Sequence, residues 1–157
     1  MHLFFIRHGQ TDWNQNNKIQ GSQDIELNAA GIEQAENLNN KIKELNYKFS
    51  KIYTSKQKRA FKTASILSQK TNIDFIPIEG IEEINFGKWE GMSWENVENQ
   101  FPTEYKKWSN NRGYAKPPEG ESYQDLLERV LVTIHNIIEE NSNNVAIVTH
   151  SAVIMCL

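Results

Sequence analysis

The apolar positions of the chain alternate between two kinds of spacing. Short apolar runs recur at His2–Ile6, Lys51–Thr54, Ile73–Ile78 and Asn144–Thr149, which predicts four short buried strands. Between them the apolar positions move to helical spacing. Ile32, Ala35, Leu38, Ile42 and Leu45 predict one helix, with Asn28 as its N-cap. Ala60, Ala64 and Leu67 predict a second, with Ser55 as its cap. Leu127, Val130, Leu131, Ile134, Ile137 and Ile138 predict a long third helix, opened by a Ser122-Tyr-Gln-Asp125 segment of capping-box form. Arg7–Leu27 is polar and reads as an irregular loop, with Gly9 closing the first strand. Glu82–Gly120 is rich in aromatic residues and predicts irregular chain with one or two short helices.

Strands alternating with helices predict a parallel, doubly wound α/β sheet in one domain spanning residues 1–157. In such sheets ligands bind outside the carboxyl ends of the strands. Arg7-His8 follows the first strand, Thr54-Ser55 the second and His150 the fourth. Arg59 falls in the first turn of the helix after the second strand, and helical side chains lean toward the helix N-terminus. Two arginines, two histidines and a helix N-terminus therefore converge on one sheet edge. That set favours a small, multiply charged anion such as phosphate.

Composition narrows the partners. A formal net charge of -3 without a basic run argues against nucleic acid or an anionic membrane. The single cysteine, Cys156, excludes an internal disulfide and a cysteine metal cluster. No apolar run approaches ~18 residues, the length of a membrane span. The N-terminal run is shorter than a signal-peptide core, so a cytoplasmic location is expected. No paired-aspartate or histidine-rich spacing suits a metal ion, and no cofactor is expected. Lysine outnumbers arginine 13 to 4, so Arg7, Arg59, Arg112 and Arg129 are each expected to need a guanidinium. Trp13, Trp89, Trp94 and Trp108 are expected to pack. Lys106, Lys107, Arg112 and Lys116 are expected to form a solvated face. His2 and His135 match no motif.

"RHGQTDWN" at Arg7–Asn14 resembles the signature of the histidine phosphatase superfamily, in its phosphoglycerate-mutase-like branch. The resemblance continues, in order, through "IQGSQDIELNAAGIEQA", "TSKQKRAFKTA", "IEEINFGKWEG", "PPEGESYQDLLERV" and "VAIVTHSAV". It covers essentially the whole chain, and the "PPEGES" segment is similar to that of small bacterial phosphatases of the α-ribazole-phosphate type. The resemblance implies a three-layer, doubly wound, mostly parallel sheet of phosphoglycerate-mutase-like form. It implies a metal-independent phosphomonoesterase that hydrolyses a small phosphorylated metabolite through a phosphohistidine. His8 would be the nucleophile, Arg7, Arg59 and His150 would bind the phosphoryl oxygens, and Glu83 rather than its neighbour Glu82 would be the proton donor. Asn14 would be a further phosphate ligand, with Gln20 and Gly21 beside the phosphate.

The alternative is a 2,3-bisphosphoglycerate-dependent mutase using the same site. The family's mutases carry a longer segment between the acid and the second histidine than Ile84–Thr149, and Gln20 resembles the phosphatase side. A non-catalytic phosphate-binding module is the third reading. Two departures stand out. Ser151-Ala152 stands where the family usually has glycine after the second histidine. The family also usually continues beyond Leu157, which gives the expectation of a shortened form. Ala152–Leu157 is then expected either to pack in the helical layer or to form an apolar patch used in self-association, as in a homodimer.

The chemistry sets two conditions on such a site. A neutral imidazole is a nucleophile near pH 7 only if its other ring nitrogen keeps its proton on a fixed acceptor, for which a carbonyl near Gly9 is the candidate. Glu83 must carry a proton before the first step, so burial or the phosphate's own charge must raise its pKa.

Overall fold

The computed structural model describes residues 1–157. Four strands, β1 (Leu3–Arg7), β2 (Lys51–Ser55), β3 (Phe75–Ile78) and β4 (Val145–Thr149), form one sheet in the order β1-β4-β2-β3, all parallel. β4 sits between β1 and β2, with Arg7 opposite Thr149 and Thr54 opposite Val148. The last chain segment thus fills the slot between the first two strands, and their carboxyl ends stand side by side.

Every residue of β4 is buried, as expected of a parallel strand covered on both faces. Val145 and Ile147 face one apolar cluster, while Ala146 and Val148 face the other. The first cluster is closed by α6 (Tyr123–Glu140) and α7 (Ser151–Cys156), the second by α2 (Ala29–Glu44) and α3 (Lys58–Thr71). Helices on both faces make the expected three layers. β3 lies at the sheet edge, where Pro77, which has no N–H to donate, is tolerated. No helix is long and apolar enough to cross a membrane.

Asn28 caps α2 by accepting the Gly31 N–H, and Ser122 and Asp125 form the expected capping box of α6. Several expected positions shift. Arg7–Leu27 is not wholly irregular: Thr11 caps a single turn, α1 (Asp12–Gln15). β3 begins at Phe75 rather than Ile73. Ser55 is the last residue of β2, and Gln57 takes the N-cap position of α3 with no side-chain bond to the helix. The buried stripe of α6 is Leu126, Val130, Ile134 and Ile137, while Leu131 is 50% exposed. The stripe of α2 likewise runs through Gly31, Ala35, Asn39 and Ile42, leaving Ile32 and Leu45 outward.

Between β3 and α6 the chain forms a 3₁₀ turn at Gly87–Trp89 and two short helices, α4 (Trp94–Gln100) and α5 (Pro102–Asn110). Trp89 and Trp108 are buried there, packed edge to face at 5.4 Å, and Trp94 stacks on Trp108 at 5.1 Å. At the end of the chain Ala152 and Val153 join the core between α6 and β1, and Met155 and Leu157 are exposed.

Candidate active site

β1 ends in Arg7, whose side chain is exposed at the mouth of a cleft of about 480 Å³. His8 follows and is buried, with its N–H donated to Thr149 O at 3.0 Å, which extends the ladder one residue past the strand. Its Nδ1 lies 2.7 Å from the carbonyl oxygen of Gly9. A carbonyl can only accept, so Nδ1 carries the proton and Nε2 keeps its lone pair. The expected acceptor is therefore the carbonyl of Gly9 itself. The Gly9 N–H donates to Thr63 Oγ1 in α3, which pins the turn.

Gly9 is glycine because of close approach. A Cβ there would press on the carbonyl of Gly31 at the start of α2, and one on Gly31 would press on Gln10 O. The segment that carries His8 is thus set by backbone against backbone.

His150 follows β4 and is fully buried, its ring centroid 5.1 Å from that of His8. Its Nε2 lies 2.9 Å from Ser55 Oγ at the end of β2, and its Nδ1 is buried without a partner. Ser55 Oγ also accepts the Gln57 N–H at 3.3 Å. Its hydroxyl proton can then go to His150 Nε2, which leaves the imidazole proton on Nδ1.

Arg59, in the first turn of α3, is buried. Nη1 donates to Gln23 O at 2.6 Å and Nη2 to Gly21 O at 2.9 Å, which draws the loop after α1 down over the site. Its Nε is buried and unpartnered. Of the four arginines only Arg129 is in an ion pair, so Arg7 and Arg59 bring positive charge to the strand ends with no carboxylate in direct contact. A buried cation in that state is costly, and the cost is relieved by an anion.

Burial, with Arg59 and Arg7 nearby, lowers the pKa of His8 to about 3, against the pull of its Gly9 bond. Burial and Arg59 also hold His150 well below its ordinary value. Both imidazoles are neutral near pH 7.

The amides complete the rim. Asn14 Oδ1 accepts the Thr11 N–H, so its NH₂ is the end left to donate. Gln20 Oε1 accepts from Thr11 Oγ1 at 2.8 Å, which leaves its NH₂ likewise. Gly21 holds a left-handed φ of 53°, and a Cβ there would strike the Glu90 carboxylate. That carboxylate takes the N–H groups of Ser22 and Phe86 and joins the Gly21 loop to the acid-bearing segment.

Glu83 lines the cleft. Its Oε1 accepts from Ile84 N and Ala152 N, both at 3.1 Å, and its Oε2 from Ser151 Oγ at 3.2 Å. Burial raises its pKa despite these bonds and the Arg59 charge, which meets the condition for a proton donor. Glu82 is used otherwise: it accepts the Gly80 N–H and faces Arg129 at 3.7 Å.

Three supports show their partners only in the fold. Gln57 Oε1 accepts the Glu83 N–H at 2.9 Å while its Nε2 donates to Gly21 O at 3.1 Å. Arg129 donates to Gly80 O and Glu83 O, both at 3.1 Å, and pairs with Glu121 at 2.7 Å. The Pro117–Gly120 turn, with Glu119 at a φ of 62°, accepts Lys88 N at Pro118 O and returns Glu121 N to Asn85 O. Pro-Pro-Glu-Gly is therefore a brace behind the acid, and its Glu119 pairs outward with Lys88.

The remaining expected residues fall outside the strand-end cluster. His2 and His135 are exposed on the surface. Lys116 pairs with Asp125, and Arg112 lies over Trp108 at 4.6 Å. Trp94 is 39% exposed and lines the cleft, so it does not merely pack.

A buried histidine pair and two arginines outside any ion pair at the ends of adjacent parallel strands, with a buried carboxyl of raised pKa on the loop after β3, make a site suited to phosphoryl chemistry. Residues 3–157 match the family model described as histidine phosphatase superfamily (branch 1), and the chain belongs to that family. Among known proteins it is 34% identical, over 99% of its length, to phosphoglycerate mutase-like protein 4 of Arabidopsis thaliana, of which it spans 68%. It is 31% identical to 6-phosphofructo-2-kinase/fructose-2,6-bisphosphatase 3 of Rattus norvegicus, of which it spans 26%. The crystal structure of the alpha-ribazole phosphatase from Shigella flexneri superposes with a TM-score of 0.89 at 30% identity, covering 98% of this chain and 76% of that one. The names of these relatives point to different substrates, so the family gives the chemistry and not the metabolite.

Proposed function

We propose that this chain hydrolyses small phosphomonoesters through a phosphohistidine on His8, with Glu83 as general acid and then general base. The observation that carries this reading is the His8 Nδ1–Gly9 O bond, which leaves Nε2 as a neutral lone pair among positive charges.

The substrate phosphoryl group sits between Arg7, Arg59 Nε and His150 Nδ1, with the amides of Asn14 and Gln20 at its edge and Gly21 beside it. His8 Nε2 attacks phosphorus in line, the bond to the ester oxygen breaks, and Glu83 gives that oxygen its proton. Water then attacks the phosphohistidine. Glu83, now a carboxylate, takes the water's proton, and the N–P electron pair returns to His8. The guanidinium groups neutralise the equatorial oxygens throughout. The outer cleft, walled by Phe86, Trp94, Tyr123 and Met155, receives the rest of the ester.

The test is rapid-quench labelling with a phosphate-labelled ester, together with His8→Ala. The expected result is an acid-labile, base-stable phosphoprotein in the wild type and none in the variant, with turnover lost and EDTA without effect. Turnover in His8→Ala within about tenfold of wild type excludes the covalent route.

A further inference from the structure

The two oxygens of Glu83 are held differently. Oε1 accepts two backbone N–H groups, from Ile84 on its own segment and from Ala152 in the first turn of α7. An oxygen with both lone pairs so engaged does not also carry a proton. The proton of the acid form therefore belongs on Oε2. The protein partner of Oε2 is the hydroxyl of Ser151, at 3.2 Å. Unlike an N–H, a hydroxyl rotates: it donates to the carboxylate and accepts from, or turns away from, the acid.

We propose that Ser151 is the positioning residue of Glu83, holding Oε2 as the proton-bearing oxygen on the cleft side and following it through both protonation states. The inference rests on the reading of Glu83 as general acid. Glu83, Ser151 and Ala152 all line the cleft with Arg7, Asn14 and Gln20, so the proton faces the space that receives the ester. A glycine at this position would leave Oε1 fixed by the same backbone bonds and Oε2 without a protein partner.

Other groups act on Glu83 from each element packed around it. Arg59 of α3 favours its carboxylate form. Tyr123 of α6 and Cys156 of α7 lie within its field, and both have pKa values raised by burial first and by Glu83 second. Arg129 of α6 grips its main-chain carbonyl, and Arg7 lines the same cleft. These are charges or fixed contacts. Among them Ser151 alone touches the proton-bearing oxygen.

The test compares an alkyl phosphate with p-nitrophenyl phosphate in Ser151→Ala, Ser151→Thr, Glu83→Gln and the Ser151→Ala/Glu83→Gln double variant. Ser151→Ala is expected to lower kcat on the alkyl ester about tenfold, with KM within about twofold, and to spare p-nitrophenyl phosphate. It is also expected to move the alkaline limb of the pH profile upward, because a donor to the carboxylate form has been removed. Ser151→Thr restores the rate, and Ser151→Ala adds nothing on a Glu83→Gln background. If Glu83→Gln discriminates between the esters while Ser151→Ala changes neither rate nor limb, or if the two losses add, the role of Ser151 is overturned alone. If Glu83→Gln slows both esters equally, the general-acid reading falls and this inference falls with it.

Discussion

The imidazole rings of His8 and His150 lie 5.1 Å apart, tilted by 57°, and both residues are buried. A proton on one ring would face the other at short range, with Arg59 close to both. The pair is thus kept neutral by its own environment, and the positive charge of the site is carried by the guanidinium groups of Arg7 and Arg59.

This arrangement makes the fold sensitive to acid. In the unfolded chain both histidines protonate near 6.5, whereas the folded chain holds His8 to about 3. Between those values the unfolded state binds more protons, so stability is full above about pH 6.5 and falls as pH drops. By pH 5 the loss from His8 is about 2 kcal/mol. Thermal melts from pH 7 to pH 5 are expected to fall steeply in the wild type and less steeply in His8→Asn. Parallel curves count against a buried neutral His8.

Glu83 has the opposite sign. Its folded pKa is raised by burial, so its ionisation costs stability as pH rises through the folded value. Glu83→Gln should therefore melt a few degrees above wild type at pH 8 and equally at pH 4. A glutamine keeps the Oε1 acceptor for Ile84 and Ala152 and lets Ser151 accept. A lower melting temperature at pH 8 would show that the carboxylate is a net stabiliser of the fold.

Gln57 joins the acid segment to the loop that Arg59 holds. Gln57→Leu leaves the Glu83 N–H and one Gly21 carbonyl contact unsatisfied, at a cost of about 1–3 kcal/mol by denaturant titration. The same variant is expected to lose about tenfold in kcat through displacement of Glu83. Turnover within about twofold of wild type would show that the acid needs no such tie.

The Arg129–Glu121 pair is only partly exposed, at 28% and 19% of the side chains. Arg129→Met strands the Glu121 carboxylate and frees two backbone carbonyls, which should cost about 3 kcal/mol. Removing both charges in Arg129→Met/Glu121→Gln should cost less than the sum of the single changes, and a double-mutant cycle measures the difference. Simple additivity would mean that the two side chains act independently.

The elements that sequence reading captured are those set by local pattern. The Ser122–Asp125 capping box, the Asn28 cap and the apolar run of β4 each declare themselves within a few residues. So do the strand ends that deliver His8 and His150. What was illegible depends on distant partners. Ser55 suits a helix cap in isolation, yet its hydroxyl belongs to His150 at 95 residues' separation. Gln57 looks like an ordinary polar position until Gly21 and Glu83 are brought beside it, and the scarcity of arginine marks Arg129 without saying that it grips Gly80 and Glu83. The outward Leu131 and Ile138 fit the period of α6, and only the direction of the sheet decides between them and Leu126.

The contact between Gly9 and Gly31 bears on how tolerance to substitution should be read in this protein. Neither residue offers a functional group, yet a single methyl at either would collide with main chain and shift the loop that carries His8. A survey of all substitutions would find these two positions as intolerant as the nucleophile itself. Intolerance here measures how closely two backbones meet, and it would mark as chemical a pair of residues whose whole contribution is to take up no space.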